Sequence, residues 1–264
     1  MRTGRFVVWF VAAATAIAAA PIVIGQQLGY DDTPLQPDGK WKIHDSKRPQ
    51  PPVVTPGPFV SAPAPADAIV LVGAGTDLSS WQHDNGSAPT WPMADGVLST
   101  GKAMLRTKAE FTDIQLHVEF ATPAQVIGSS QGRGNSGVFL AGVFEVQVLD
   151  SFENPTYADG QAAAMYGQFP PLVNASRRPG EWQSYDIAFT APRFDQAGAL
   201  ASPAVVTVVH NGVLVHHARA FWGPTQHRRI DPYQPSNARG PIRLQDHGNP
   251  VRYRNVWVRE IRQF

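Results

Sequence analysis

The chain has 264 residues, of which 43% are hydrophobic and 16% are charged, and its formal net charge is +1. A charge this close to zero gives no field that would attract nucleic acid, and the absence of cysteine excludes a disulfide framework, a cysteine nucleophile and a thiolate zinc site. The 24 prolines and 23 glycines indicate many turns, which is typical of an all-β fold.

The first 25 residues have the pattern of a targeting segment. Arg2 and Arg5 precede an apolar run over residues 6–25, and small residues surround Ala19. The run is also long enough to span a bilayer as an uncleaved anchor. Residues 1–25 are therefore predicted to be a signal peptide or an N-terminal anchor. In both cases we expect the rest of the chain to be secreted or periplasmic.

Residues 26–67 are predicted to be a proline-rich, extended linker, since proline cannot donate a backbone hydrogen bond to a helix or a sheet. The stretch WKIHD lies inside this segment. Trp41 and Ile43 are expected to anchor it to the domain that follows. His44 and Asp45 are interpreted as turn and anchor residues, with a functional role left open.

Residues 68–264 carry many short stretches of alternating apolar residues with turn residues between them. Over residues 113–120 the even positions are apolar, and the odd ones include His117 and Glu119. Two β-branched runs flank Asn211 and Gly212, the preferred two-residue hairpin turn. No amphipathic helix of ordinary length is found. We therefore predict one all-β domain over residues 68–264, built as a two-sheet antiparallel jelly-roll sandwich.

The stretch GNSGVFLAGVFEVQVLD, residues 134–150, gives the first candidate site. Its second strand places Glu145 and Gln147 on the face opposite to its apolar residues. The later stretch LQDHGNP repeats this arrangement with Gln245 and His247 on one face. If both strands lie in one sheet, these four side chains would line one pocket. Glu145, His247 and Gln147 are predicted to be catalytic, and Gln245 to bind substrate.

Other polar residues are predicted to orient a substrate around these groups. They are Glu119, Arg133, Asn135, Asp150 and Arg254. Glu119 would contribute only if its strand were adjacent to that of Glu145. Two valines share the strand face of Arg254 and argue that it points elsewhere. A divalent cation remains possible in place of one of the donors, and no cofactor is otherwise indicated.

Several long stretches, in order along the chain, resemble the 3-keto-disaccharide hydrolase family. They are GRGNSGVFL, FEVQVLDS, AMYGQFPPLVNASRRPGEWQSYDIAF, HNGVLV and GPIRLQDHGNPVRYRNVWVR. The resemblance implies a jelly roll of the concanavalin type, of the kind used by lectins and glucanases. It also implies an extracytoplasmic hydrolase that acts on glycosides oxidised at C3 of the sugar. A separate sugar 3-dehydrogenase would supply such a substrate.

The residues favour a particular mechanism for such a substrate. Glucanases of this fold carry E-x-D-x-x-E, whereas this chain has Gln147 at the middle position and Asp150 at the last. A retaining glycosidase needs two carboxyl groups about 5–5.5 Å apart. A ketone instead acidifies the C2 proton, so one base, one acid and an enolate donor suffice for elimination followed by hydration. Two alternatives stay open: a non-catalytic carbohydrate-binding module, and a glycosidase acting on unoxidised glycans.

Overall fold

A computed structural model describes Met1 and residues 28–262, and nearly all of its regular structure is antiparallel β-strand. The strands of this part of the chain are β1 (Ile69–Val72), β2 (Trp81–His83), β3 (Met93–Ala94), β4 (Val97–Ser99), β5 (Leu105–Thr107), β6 (Ile114–Ala121), β7 (Ser136–Leu140), β8 (Phe144–Val148), β9 (Gln183–Thr190), β10 (Arg193–Phe194), β11 (Leu200–Ser202), β12 (Val205–His210), β13 (Val213–Ala220), β14 (Thr225–Gln226), β15 (Arg229–Ile230), β16 (Arg243–Leu244) and β17 (Arg252–Glu260). Three single-turn 3₁₀ helices cover Ser130–Gly132, Ala158–Gly160 and Pro235–Ala238.

The strands form two principal sheets. The larger one has eight strands in the order β13-β12-β9-β6-β17-β4-β3, and β1 pairs with the part of β17 that β4 leaves free. The smaller one has five strands in the order β2-β5-β16-β7-β8. Two ribbons, β10-β11 and β14-β15, lie outside both sheets. The predicted all-β jelly-roll sandwich is confirmed.

One apolar core fills the space between the two sheets. Leu116, Val118 and Phe120 of β6 are fully buried in it, and so are Val146 and Val148 of β8. Side chains alternate across a strand, so the residues between these apolar ones point away from the core. The polar faces of β6 and β8 therefore lie on opposite outer surfaces of the sandwich.

The proline-rich segment lies against the domain through isolated contacts. Val53 forms a parallel bridge with Asn174, and Ile43 is 2% exposed, as expected of an anchoring residue. His44 is a turn residue with a φ of 55°, and it is fully buried. Ser61 donates a hydrogen bond to Glu119 on the outer face of the large sheet.

The predicted signal peptide or anchor lies outside the described residues, apart from Met1. Within the described part of the chain, no helix has the length and apolar character needed to cross a membrane. The prediction for residues 1–25 therefore stays a prediction.

Candidate active site

Two rows of side chains cross the outer face of the small sheet. In the first row Arg243 lies opposite Phe139, which lies opposite Glu145. In the second row Gln147 lies opposite Gly137, whose carbonyl oxygen accepts a hydrogen bond of 3.0 Å from the Gln245 backbone N–H. Because β16, β7 and β8 are neighbours in this sheet, residues 100 positions apart in the chain share one surface.

These rows form the floor of a pocket of about 540 Å³, a size typical of small-molecule sites. It is lined by Tyr30, Met104, Gln131, Asn135, Phe139, Glu145, Gln147, Tyr157, Tyr166, Thr225, Gln226, His227, Arg243, Gln245 and His247. Its lining includes three tyrosines and five amide side chains, together with a buried acid and two imidazoles. Such a mixture of ring faces and hydrogen-bonding groups suits a sugar.

Glu145 lies in the floor of this pocket with 4% of its surface exposed. A Cβ atom on residue 137 would collide with its Oε1 atom, so glycine at that position provides the room for the carboxyl group. The backbone N–H of Glu145 donates a bond of 3.0 Å to Thr225 Oγ1, which fixes the strand beside the β14-β15 ribbon. The site is thus fitted around a buried acid.

The surroundings of Glu145 favour its neutral form. Burial raises the pKa of Glu145 to about 8, and the positive charge of Arg243 opposes this only in part. With its amide nitrogen turned toward Glu145, Gln147 lies 3.1 Å from Oε1 as a donor. Among the described residues that line the pocket, Glu145 is the only carboxylic acid. A protonated carboxyl group of this kind can donate its proton to a bound ligand.

Four amides complete this side of the pocket. In the opposite orientation of its amide, Gln147 Nε2 donates to Gln131 Oε1 at 2.9 Å, and Asn135 Nδ2 donates to the Gln131 carbonyl oxygen at 2.7 Å. Asn135 Oδ1 and Gln245 Oε1 have no hydrogen-bond partner within the described residues. Buried polar atoms are normally paired, so these two oxygens are available to accept from the hydroxyl groups of a ligand.

The opposite wall carries an imidazole at the tip of the β14-β15 ribbon. His227 Nδ1 lies 3.1 Å from the Tyr166 hydroxyl, which lies 2.9 Å from that of Tyr157. The pKa of His227 is lowered, first by burial and then by the charges of His44, Arg228 and His247. A neutral imidazole therefore faces the same pocket as a neutral carboxylic acid.

The structure brings together five of the residues predicted from the sequence. Glu145, Gln147, Asn135, Gln245 and His247 all line this pocket. His247 is exposed, in the loop that follows β16, and its ring makes no hydrogen bond to the other described residues. The matching positions of these residues on two strands did indicate a shared surface, because the strands belong to one sheet.

Glu119 and Arg254 are placed elsewhere. They lie on β6 and β17 of the large sheet, where Arg254 Nε donates to Glu119 Oε2 at 2.6 Å. Their side chains point to the outer surface opposite the pocket. They therefore cannot contact a substrate bound beside Glu145, and the predicted contact is not made. The cause is the assignment of β6 to the other sheet, which alternation along the strand does not reveal.

Arg133 and Asp150 also lie outside the main pocket. Their side chains pair at 2.6 Å, and Arg133 also donates to the Phe152 carbonyl oxygen at 2.9 Å. Both line a separate depression of about 260 Å³ beside the loop that carries Asn249. Asp150 therefore stabilises a loop and does not form a carboxylate pair with Glu145.

Several pocket residues were missed by the analysis of the sequence. They are Tyr30, Gln131, Tyr157, Tyr166, His227 and Arg243. Tyr166 and Arg243 stand in stretches that carry the family resemblance, and this could have drawn attention to them. His227 and Tyr30 follow no strand pattern, because a ribbon tip and an irregular segment present them.

A site for a divalent cation would require a cluster of acidic and imidazole side chains. Among the described residues, no group of three or more histidine, aspartate and glutamate side chains could hold a metal ion.

Fold and site together define a carbohydrate-active protein of the glycoside hydrolase and lyase kind. The chain belongs to the family of the 3-keto-alpha-glucoside-1,2-lyase-like domain, whose model matches residues 67–259. A search of curated proteins gives no significant match.

Solved structures support the same assignment. A provisionally named glycosyl hydrolase from Parabacteroides distasonis is 44% identical, with a TM-score of 0.73 over 81% of this chain and 93% of that one. A second protein of that organism with the same description is 20% identical, with a TM-score of 0.51 over 71% and 92% of the two chains. The second likeness shows the fold alone.

Proposed function

We propose that this protein cleaves the glycosidic bond of 3-keto glycosides by abstraction of the C2 proton, elimination and hydration. The observation that carries the proposal is the single buried carboxyl group of Glu145, kept neutral at pH 7 and facing a neutral imidazole across one pocket. The family to which the chain belongs supplies the substrate class.

The first step needs a base for the proton on C2. We assign this role to His227, because its lowered pKa leaves the imidazole unprotonated at neutral pH. If Nδ1–H donates to Tyr166, and Tyr166 donates on to Tyr157, Nε2 keeps its lone pair for the substrate, with the Tyr30 hydroxyl 3.5 Å away. The electron pair of the C–H bond then forms the enolate between C2 and C3.

The second step expels the group on C1. The C3 carbonyl forms again, a C1–C2 double bond forms and the C1–O bond breaks, while Glu145 gives its proton to the leaving oxygen. Arg243 carries the positive charge nearest to Glu145, and we assign it to the developing negative charge on the C3 oxygen. Its own contacts with Gly142 and Asp84 hold it in place.

Hydration reverses these proton transfers. Water adds to C1 as the Glu145 carboxylate takes a proton from it, and the imidazolium returns a proton to C2. Gln147, Asn135 and Gln245 hold the sugar hydroxyl groups through their amides. His247 is assigned to the same ligand from the opposite loop, where its ring is free of other described partners.

Among the described residues, this pocket lacks the second carboxylate that double displacement on ordinary glycosides requires. The second carboxylate must lie about 5–5.5 Å from the first, to act as nucleophile. Asp150, the nearest acid along the strand sequence, is occupied by Arg133 and lines the other depression. Glu119 lies beyond the core. The keto-glycoside route needs only the groups that are present.

The direct test compares a 3-keto disaccharide with its unoxidised parent. We expect release of the sugar from the oxidised compound and none from the parent. Cleavage of both would support an ordinary glycosidase. Binding of either one without turnover of the oxidised compound would support a carbohydrate-binding module.

The mechanism is tested separately with deuterium at C2 of the keto sugar. We expect slower turnover and transfer of the label to solvent, because the proton on C2 must leave. Because the imidazolium could return the same deuteron to C2, retention alone is not decisive. A product that keeps all its deuterium and forms at an unchanged rate would contradict elimination, even if the protein still hydrolysed the substrate.

Two expectations about the cellular setting complete the proposal. A separate sugar 3-dehydrogenase would generate the ketone, because the substrate class implied by the family is a glycoside already oxidised at C3. Secretion or export to the periplasm rests on the basic and apolar pattern of residues 1–25. Mature chain that stayed in membranes after a carbonate wash would indicate an anchor.

A further inference from the structure

The tip of the β14-β15 ribbon is held mainly by a segment that precedes the family domain. The Arg228 guanidinium lies 4.5 Å from the centre of the Tyr30 ring and pairs with Asp32 at 2.5 Å. The His227 ring meets the Tyr30 ring edge-on with centroids 5.5 Å apart, and it stacks on His44 at 5.4 Å. The contact with Tyr166 is the tip's hydrogen bond to the domain itself.

This segment, residues 28–48, is fixed through one buried carboxylate. Asp159 is fully buried, and its two oxygens accept bonds of 3.0 Å from His44 Nδ1 and from the His44 backbone N–H. Gln36 Nε2 donates to it at 3.2 Å, and Arg48 lies at 3.7 Å. All of these partners belong to residues 28–48, so the domain provides the acid and the segment provides the donors.

His44 links this anchor to the pocket wall. Its ring lies 4.1 Å from that of Tyr157 and 4.8 Å from that of Tyr166, centroid to centroid. Its Nε2 atom is buried and has no hydrogen-bond partner among the described residues. The ring thus contacts three side chains of the pocket wall, Tyr157, Tyr166 and His227, while its backbone adopts the left-handed conformation.

We propose that His44 and Tyr30 are positioning residues for His227, and that residues 28–48 are part of the active site although they lie outside the family domain. The role of His227 in this statement rests on the proposed function. Neither His44 nor Asp159 lines the pocket, so His44 acts through the ring that it supports. Tyr30 acts mainly through the packing of its ring against His227 and Arg228, since its hydroxyl lies 3.5 Å from His227 Nε2, at the outer limit of a hydrogen bond.

The first experiment does not depend on activity. Histidine labelled with nitrogen-15 reports the protonation of each ring nitrogen by NMR, and we expect one dominant Nδ1–H form for His227 in the full chain. His44→Asn keeps a donor for Asp159 but removes the ring. We expect this variant to show a mixture of both neutral forms at His227.

The second experiment separates positioning from folding through kinetics. For His44→Asn we expect kcat to fall about tenfold, less than the 10²-fold that a 1 Å misplacement can cost, with KM within about twofold. Tyr30→Ala should behave similarly, whereas Tyr30→Phe keeps the ring and should stay within about twofold. Lys47→Ala is the matched control, because its exposed side chain in the same segment contacts none of these groups.

The outcomes distinguish the two proposals. If the wild-type chain cleaves no keto glycoside but His44→Asn still changes the His227 resonances, the function proposed above fails and the positioning holds. If His44→Asn lowers only the melting temperature, with kcat of the folded protein and the His227 resonances unchanged, His44 is merely structural and the inference is overturned.

Discussion

Two glutamates on opposite surfaces of the sandwich show how the same side chain can be held in different charge states, one neutral and one ionised. Glu145 and Glu119 both alternate with core residues on strands that are hydrogen-bonded to a neighbouring strand, and both are at most 4% exposed. Burial by itself would raise the pKa of both carboxyl groups. For Glu145 little opposes it, and the pKa reaches about 8, whereas the surroundings of Glu119 lower its pKa to about 2.

The difference lies in the hydrogen-bond donors. Arg254 Nε donates to Glu119 at 2.6 Å and Asn255 Nδ2 at 2.8 Å, Ser61 adds a hydroxyl bond, and His117 lies at 3.5 Å. Burial would lower the pKa of His117, but its contacts with Asp186 and Glu119 raise it to about 9. Both carboxylate oxygens of Glu119 accept hydrogen bonds, and Phe59, Ser61 and Ala62 lie against the network. The network stabilises the fold.

Glu145 has the reverse arrangement. Its neighbours in the pocket are amides, tyrosines and open space, and only Arg243 opposes the effect of burial. A buried acid that the protein does not neutralise by pairing is costly to ionise, and such groups cluster at functional sites. Lack of ion pairing, rather than burial by itself, separates the two glutamates.

The largest expected effect is on turnover. Glu145→Gln should lower kcat by about 10²-fold or more, the usual scale for the loss of a general acid. Substrate binding should change less, because glutamine keeps the size and an acceptor. Steady-state kinetics on the keto disaccharide measure both. A variant with at least a third of the wild-type kcat would remove Glu145 from the reaction.

The next effect is on stability, and it should appear at the other glutamate. Glu119→Gln should lower the free energy of unfolding by about 2 kcal/mol, as expected when charge-assisted hydrogen bonds are lost. Activity at a temperature where the variant is folded should stay within about twofold of the wild type. Urea denaturation and kinetics on the same sample test both. A tenfold loss of kcat in folded Glu119→Gln would contradict a purely structural role for Glu119.

The two glutamates should also give opposite slopes of stability with pH. The pKa of Glu119 is depressed from 4.5 to about 2, so its contribution is present above pH 4.5 and is lost as pH falls toward 2. The pKa of Glu145 is raised from 4.5 to about 8, so the folded state holds its proton more tightly and stability falls as pH rises between these values.

Each slope is obtained by subtracting the free energy of unfolding of the variant from that of the wild type at each pH. Denaturation across pH should show that Glu145→Gln removes the decline between pH 4.5 and 8, while Glu119→Gln removes the rise below 4.5. His117 adds a separate decline, because its pKa is raised from 6.5 to about 9 and its stabilisation is lost as pH rises through that range. Equal slopes in both variants would contradict the assignment.

The smallest effect should come from the second depression. Asp150→Asn weakens the pair with Arg133 but touches no group of the main pocket. We expect kcat to change by less than about threefold, far below the 10²-fold of a lost proton-transfer group. A loss of kcat comparable with that of Glu145→Gln would indicate that Asp150 acts as a second catalytic carboxylate, and this would support an ordinary glycosidase.

Much of the pocket floor could be predicted from strand alternation. Glu145 and Gln147 share a face because side chains alternate, and Gln245 joins them because its strand lies in the same sheet. The same alternation places Glu119 on an outward face, but β6 belongs to the large sheet, so the condition that its strand be adjacent to that of Glu145 is not met. Alternation gives the face of a strand and does not give its sheet.

The sequence by itself determined the family, the all-β class and the inward and outward sides of individual strands, because these depend on local order along the chain. Only the tertiary structure decided which outward faces meet, since sheet membership follows from long-range pairing. It also decided that Tyr30 reaches the pocket and that His44 packs behind its wall, because a buried Asp159 more than 100 residues away binds their segment. The pKa of each glutamate is tertiary too, since it depends on the donors that folding brings within reach.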